Sequence, residues 1–244
     1  MNRYNLDCRV GFSHLLADDT VSLPALMERV QECSLFHTLD ADLFGYYEEN
    51  DLAWVLTHWQ VEISRYPKVG EVVNISTWPV GFKGYFGLRG FEVADKGGSR
   101  LLAANSNWML LNRSTLKPVR PTPIIAERYG DTAPFLLDKD FSLPDLADFN
   151  PLSHHTYTPT RRDCDTNRHV NNANYLKWVY DLIPRQFYTG MRVTKLKVAY
   201  KQETLPNDLL TIKPFTRTFN DRVEMLVLIE KNRQVTTEIF MRWK

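Results

Sequence analysis

Residues 163–178 read DCDTNRHVNNANYLKW. Two Asp, one His and four Asn fall within the first twelve positions, a density that ordinary surface turns seldom reach with a His included. An apolar pattern follows at once. Tyr175, Leu176, Val179, Tyr180 and Ile183 recur at three to four residues, and Pro184 stops the run. The spacing predicts a helix that begins near Asn171 or Asn172. A strand-like segment, HHTYTPT (154–160), precedes the cluster, and four more follow the helix at 194–202, 208–216, 222–230 and 234–243. In the last of these Ile239, Met241 and Trp243 alternate onto one face.

The first half has the same order. YNLDCRVGF (4–12) reads as a strand. Leu23, Leu26, Met27 and Val30 then fall at helical spacing, with Ser22 as N-cap and Pro24 in the first turn. Strand-like runs occupy 52–63, 71–80, 84–94 and 101–112, separated by Pro67 and Gly70, Gly81 and Gly84, and Gly97 and Gly98. A register that lays 63–75 on 200–212 supports a duplication, weakly in identity and more firmly in the order of elements. A helix followed by an antiparallel meander suggests a sheet that wraps around the helix and buries it. Residues 136–153 are acidic and carry Pro144 and Pro151, as a surface linker would. The expected domains are 1–135 and 154–244, joined by 136–153.

Composition narrows the classes. The chain has 244 residues, with a formal net charge of +1, so bulk charge implies neither a nucleic-acid nor a membrane partner. Its three Cys are far apart and form no CxxC, which favours a reducing compartment over a disulfide framework. The N-terminus has no apolar secretory core, and no run of about 18 apolar residues suggests a membrane span. A cytoplasmic protein without a cofactor is expected.

The cluster itself admits several chemistries. Asp163, Asp165 and Asn167 fit the first positions of a calcium loop, but the Gly and Glu such a loop demands are Arg168 and Asn174. Zinc would need more His or Cys at ligand spacing. Cys164 lies five residues from His169, yet two flanking carboxylates disfavour a thiolate, and a packing role suits it better. Two readings stay open. The helix N-terminus can act as an electrophilic site, its first N–H groups facing a developing oxyanion with Asp165, Asn167 and His169 alongside. Alternatively the Asn residues form an elaborate helix cap.

The cluster resembles the signature of the fatty acyl–acyl-carrier-protein thioesterases, plant-type and bacterial: D-x-[DN]-x-N-x-H-V-N-N, then an aromatic and Trp. It is carried here by Asp163, Asp165, Asn167, His169, Val170, Asn171, Asn172, Tyr175 and Trp178. LPALMERVQE, WVLTHWQVEISRYPKVGEVVNISTW and SNWMLLNRSTLKPVR resemble the first half of that family, so the likeness covers nearly the whole chain. The resemblance implies an α+β tandem (double) hotdog, each half an antiparallel sheet wrapped around a long central helix. It also implies hydrolysis of the thioester between a fatty acyl chain and acyl carrier protein. The implied catalytic set is Asp165, Asn167, His169 and, from the YKQET stretch, Glu203. Many plant members have Cys after that Glu where this chain has Thr204, which suggests that no thiol nucleophile is needed. The first half matches none of this set and is expected to bind acyl chain.

In the mechanism so implied, Glu203 takes a proton from water, Asn167 positions water or substrate, and Asp165 and His169 hold Asn167. N–H groups of Asn171, Asn172 and Ala173 would stabilise the oxyanion. Attack by Asp165 to form an anhydride is the variant. The acidic carrier would meet a basic patch drawn from Arg161, Arg162, Arg168, Lys177, Arg185, Lys195, Lys197 and Lys201. His14, His37 and His58 are expected to pack or face solvent, and Trp54, Trp59, Trp108 and Phe86 to pack the core or line an acyl tunnel. An acyl-CoA thioesterase, a hotdog dehydratase and a non-catalytic acyl-binding hotdog protein are the rivals. Two hotdogs in one chain mimic a dimer, so a homodimer of the chain is optional.

Overall fold

The computed structural model describes residues 3–12, 15–16, 18–164, 169–184, 191–219 and 222–244. Asp165, Asn167, Arg168, Arg185 and His14 lie outside the described residues. The chain divides into two compact units, Met1–Thr57 with Val61–Lys139, and His58–Gln60 with Asp140–Lys244. Each is an antiparallel sheet with few helices, an α+β arrangement.

The first unit contains strand β1 (Tyr4–Arg9), helices α1 (Leu23–Asp40) and α2 (Phe44–Glu49), and strands β2 (Leu52–Ile63), β3 (Val72–Lys83), β4 (Phe86–Asp95) and β5 (Arg100–Asn112). Helix α3 (Pro123–Tyr129) follows. The strand order is β1-β3-β4-β5-β2. Helix α1 starts as the sequence predicts. Ser22 is extended and its hydroxyl accepts from the Ala25 N–H at 3.4 Å, with Pro24 in the first turn. Its buried face carries Leu23, Leu26, Met27, Val30 and Cys33 and packs on β3 and β1. The Cys33 thiol donates to the Ile75 carbonyl at 3.4 Å, and burial pushes it up to about 12, so it stays a packing residue.

Helices α2 and α3 were not legible as periodic runs, being only six and seven residues long. They close a cluster of Leu43, Tyr47, Leu52, Leu110, Ile125 and Tyr129. His37 is buried, its Nδ1 2.9 Å from an Arg89 guanidinium nitrogen and its ring stacked on Tyr4. Burial first, then the Arg89 charge, depress it to about 4, so it is neutral near pH 7.

Gly90 on β4 is required by close approach. A Cβ there would stand 2.5 Å from the Trp78 indole, which is fully buried and donates to the Pro134 carbonyl at 3.1 Å. Gly90→Ala is expected to destabilise the protein by about 1–3 kcal/mol, as core overpacking does. Urea denaturation of the variant checks this.

The second unit contains β6 (Asn150–Pro151), β7 (His155–Tyr157), α4 (Asn172–Asp181), β8 (Val193–Tyr200), β9 (Leu210–Phe219), β10 (Arg222–Lys231) and β11 (Gln234–Trp243). The order is β8-β11-β10-β9-β6, with β7 also on β9. Asn232 and Arg233 join β10 to β11 with φ of 51° and 66°, the left-handed pair that a two-residue hairpin requires. Ile239, Met241 and Trp243 are buried on one face of β11. Phe240, on the other face, packs with Phe149 and Leu226. Phe149 belongs to the acidic 136–153 stretch, which from Asp140 onward counts in the second unit and forms a short 3-10 turn (Leu146–Asp148) and then β6. Strands β2 and β8 end at Ile63 and Tyr200, the two residues that the sequence register placed opposite each other.

Candidate active site

The cluster is organised around Asp163, which closes a 3-10 turn (Arg161–Asp163) and is 9 % exposed. One carboxylate oxygen accepts from the Thr160 N–H at 2.7 Å and the Thr160 hydroxyl at 2.9 Å. The other accepts from the Trp178 indole at 3.1 Å and the Tyr157 hydroxyl at 3.2 Å. Burial alone would raise the Asp163 carboxyl. The donors from Thr160, Trp178 and Tyr157 outweigh it and hold the group below the usual carboxylate range. The Asp163 carbonyl accepts from the Asn171 N–H and from the Asn174 amide, both at 2.8 Å. The first residue of the motif is thus a structural hub. It ties the turn before the cluster to the helix after it.

Helix α4 begins at Asn172 with Asn171 as its N-cap, where the residue pattern placed it. The Asn171 side chain accepts from the Ala173 N–H at 3.0 Å, and the Asn171 carbonyl accepts from the Asn174 N–H at 2.9 Å. Of the three N–H groups expected to face an oxyanion, those of Asn171 and Ala173 are therefore engaged within the cap. Asn172 N–H has no partner among the described residues. An Asn at N-cap satisfies donors that would otherwise point outward.

Two chain-distant residues meet above this cap. His169 Nε2 lies 3.2 Å from a Glu203 carboxylate oxygen, with both side chains roughly two-fifths exposed, at 37% and 41%. The pairing is enforced by the backbone. Val170 N–H donates to the Thr204 carbonyl at 3.0 Å, and Val170 also bridges Cys164. Fixing the neighbours of His169 and Glu203 to each other leaves the two side chains side by side and open to a ligand. Tyr200, at the end of β8, donates to the Asn172 carbonyl at 2.9 Å and so joins the strand leading to Glu203 to the first turn of α4.

The structure also disposes of one nucleophile candidate. Thr204 is 1 % exposed and cannot present its hydroxyl to a substrate. Cys164 is half-buried, with its thiol 3.5 Å from the Thr160 carbonyl. Asp165 and Asn167 lie outside the described residues, so His169 and Glu203 are the expected catalytic residues whose geometry is in view.

One member of the expected basic patch does not belong there. Lys197 is 6 % exposed, and its ammonium is held by Asp140 at 2.5 Å and the Ser142 carbonyl at 2.8 Å. On β8 it stands opposite Phe240 of β11 within four consecutive buried residues, on packed structure rather than solvent. Lys201 is paired with Glu238 at 2.8 Å, whereas Arg161 and Arg162 are exposed. Lys197→Glu is therefore expected to lower stability by about 3 kcal/mol, by putting a carboxylate in the buried place of the ammonium and beside the half-exposed Asp140 carboxylate. Comparing its denaturation midpoint with that of Arg162→Glu, expected near wild type, checks the distinction.

Residues 2–129 match the acyl-ACP thioesterase N-terminal domain, and residues 148–244 match the acyl-ACP thioesterase C-terminal domain. A chloroplastic acyl-acyl-carrier-protein hydrolase of Cuphea viscosissima is 30% identical over 237 residues, covering 90% of this chain and 57% of the relative. The chain thus spans little more than half the length of that curated relative. An acyl-ACP thioesterase from Bacteroides thetaiotaomicron has a crystal structure that superposes with a TM-score of 0.85 at 24% identity, covering 98% of this chain and 97% of that one. The 12:0-ACP thioesterase from Umbellularia californica gives a TM-score of 0.86 at 19% identity, over 99% and 94% of the two chains. These two likenesses show a shared fold.

Proposed function

From its place in the acyl-ACP thioesterase family, to which the chain belongs, we infer that it hydrolyses the thioester joining a fatty acyl chain to acyl carrier protein. The observation that carries this reading is the His169–Glu203 pair, 3.2 Å apart and open to solvent beside the first turn of α4. Each unit is read as one hotdog of a tandem pair, with α1 and α4 as the central helices.

Glu203 takes a proton from water, and that water attacks the thioester carbon. His169, in contact with Glu203, fixes the carboxylate and faces the substrate carbonyl. Asn172 N–H, free of partners among the described residues and at the positive end of α4, supports the oxyanion. Asn167 positions water or substrate, and Asp165 orients it. A thiolate leaves readily, so the site does not need a strong general acid. The first unit receives the acyl chain, and Arg161, Arg162, Arg168, Lys177, Arg185 and Lys195 are the docking cations that remain candidates near the site.

The test is thiol release measured over a series of acyl-ACP thioesters of different chain length. Release from a subset of lengths is the expected result. Release from acyl-CoA alone at equal chain length would replace the carrier, and no release from either carrier would overturn the reading.

A further inference from the structure

The start of α1 repeats the backbone frame that holds the start of α4. Val21 N–H donates to the Pro67 carbonyl at 3.0 Å, as Val170 N–H donates to the Thr204 carbonyl at 3.0 Å. Leu15 bridges Val21 as Cys164 bridges Val170, with the same spacing along the chain. The residue after each valine is the N-cap, Ser22 for α1 and Asn171 for α4. In this correspondence Thr20 stands in the place of His169, and the register of 63–75 on 200–212 puts Tyr66 in the place of Glu203. Both are buried, at 9 % and 6 % exposed, and the Thr20 hydroxyl donates to Asp18 at 2.7 Å. They cannot replace an open Glu–His pair, so the first unit keeps the frame without the chemistry.

The two residues that close this frame, Val21 and Pro67, also line a cavity of about 140 Å³ whose lining lies wholly in the first unit. Its floor is Val10, Leu26, Val73 and Ile75, all buried. Arg9 and Arg29 line it too and reach solvent, and no carboxylate does so among the described residues. Arg9 has no ion-pair partner among the described residues. Arg29 is paired with Glu32 at 2.8 Å, but both side chains are nearly half exposed, and such a helix-surface pair gives way readily to a better partner. An apolar floor under two guanidinium groups suits a molecule that is apolar at one end and anionic at the other. The volume sets its size, since an apolar cavity of about 150 Å³ takes a six-carbon ring.

We propose that this cavity is a second, non-hydrolytic site for a small apolar carboxylate, with a body of about six carbons on the floor and the carboxylate on Arg9 and Arg29. A short fatty acid has this form. That such an acid is also a product of the enzyme rests on the proposed hydrolysis; the site itself does not.

The half-buried Cys8 thiol lines the same cavity and reports its occupancy. Hexanoate, octanoate and dodecanoate are titrated into the intact chain by calorimetry, and alkylation of Cys8 by N-ethylmaleimide is followed by peptide mass spectrometry. Octanoate at about ten times its Kd is expected to slow Cys8 alkylation about ten-fold, and octanol to slow it far less. Arg9→Glu combined with Arg29→Glu changes only exposed side chains and is expected to weaken octanoate binding by about ten-fold or more, as loss of charge-assisted hydrogen bonds does. Dodecanoate is expected to bind no tighter than octanoate, because its further carbons stay in water. Absence of binding heat at millimolar octanoate, or binding heat without protection of Cys8, overturns the site. Equal protection by octanol, or unchanged affinity in the arginine variant, refutes the carboxylate. Affinity that climbs by about four-fold with every methylene up to dodecanoate places the acid in a longer tunnel and overturns this cavity as its seat. Should the wild type release thiol from no acyl thioester, the hydrolase reading fails, while octanoate binding still decides the site.

Discussion

Glu203→Gln is expected to lose between about a hundred- and ten-thousand-fold in kcat on acyl-ACP, the range that a general base contributes. Gln keeps the size of the side chain and a hydrogen-bonding oxygen for His169, but it cannot take a proton. Glu203 is 41% exposed, so the substitution leaves the fold intact, with stability within about 0.5 kcal/mol of wild type. The loss falls in kcat rather than KM, since Glu203 acts on water and does not hold the acyl chain. Steady-state kinetics beside a thermal melt measures both. A variant that retains near wild-type kcat would assign the base to another residue.

Asp163→Ala is expected to do the opposite, removing stability and activity together. It strands four donors that converge on one buried carboxylate: the Thr160 N–H and hydroxyl, the Trp178 indole and the Tyr157 hydroxyl. Of these donors only the Trp178 indole is buried, whereas Thr160 is exposed and can turn to water, so a loss of about 1–3 kcal/mol is expected. The variant keeps the Asp163 carbonyl that anchors Asn171 and Asn174 at the start of α4, and activity falls because loss of the carboxylate loosens the turn that carries this carbonyl. The pH dependence has a definite sign. Asp163 is held below the usual carboxylate range in the folded state. Its contribution is therefore fully present above the unfolded value of about 3.9 and is lost as pH falls through the lower folded value. Urea denaturation as a function of pH should show the wild type losing this increment in acid, while Asp163→Ala lacks it throughout.

The behaviour of these two residues shows what the sequence could and could not convey. Strands β2 and β11 were readable to the residue because apolar runs bounded by turn residues mark them. The start of α4 was readable because Asn followed by an apolar helical pattern is an N-cap signal. Helix α3 carried a usable signal too, Thr122 before Pro123 at the first helical position, but seven residues give too short a period to stand out. The partner of His169 lies 34 positions away, at the end of another strand, and residue spacing alone would have left Glu203 as a surface carboxylate. Resemblance to a family supplied it. Asp163 was legible as part of the motif but not as its hub, because its partners Tyr157, Thr160 and Trp178 come together only once the turn and helix have formed. Lys197 misled for a related reason. Its charge suggested solvent, and its partner Asp140 lies 57 positions earlier in the stretch read as a linker.

Direct attack of water on the thioester carbon, beside the His169–Glu203 pair, can be tested in a single turnover of acyl-ACP in oxygen-18 water with enzyme in excess. Water attack puts one labelled oxygen into the released fatty acid in that first turnover, and this is the expected result. Unlabelled fatty acid with the label retained in the protein carboxylate would contradict it, showing that Asp165 attacks first and that water opens the resulting anhydride.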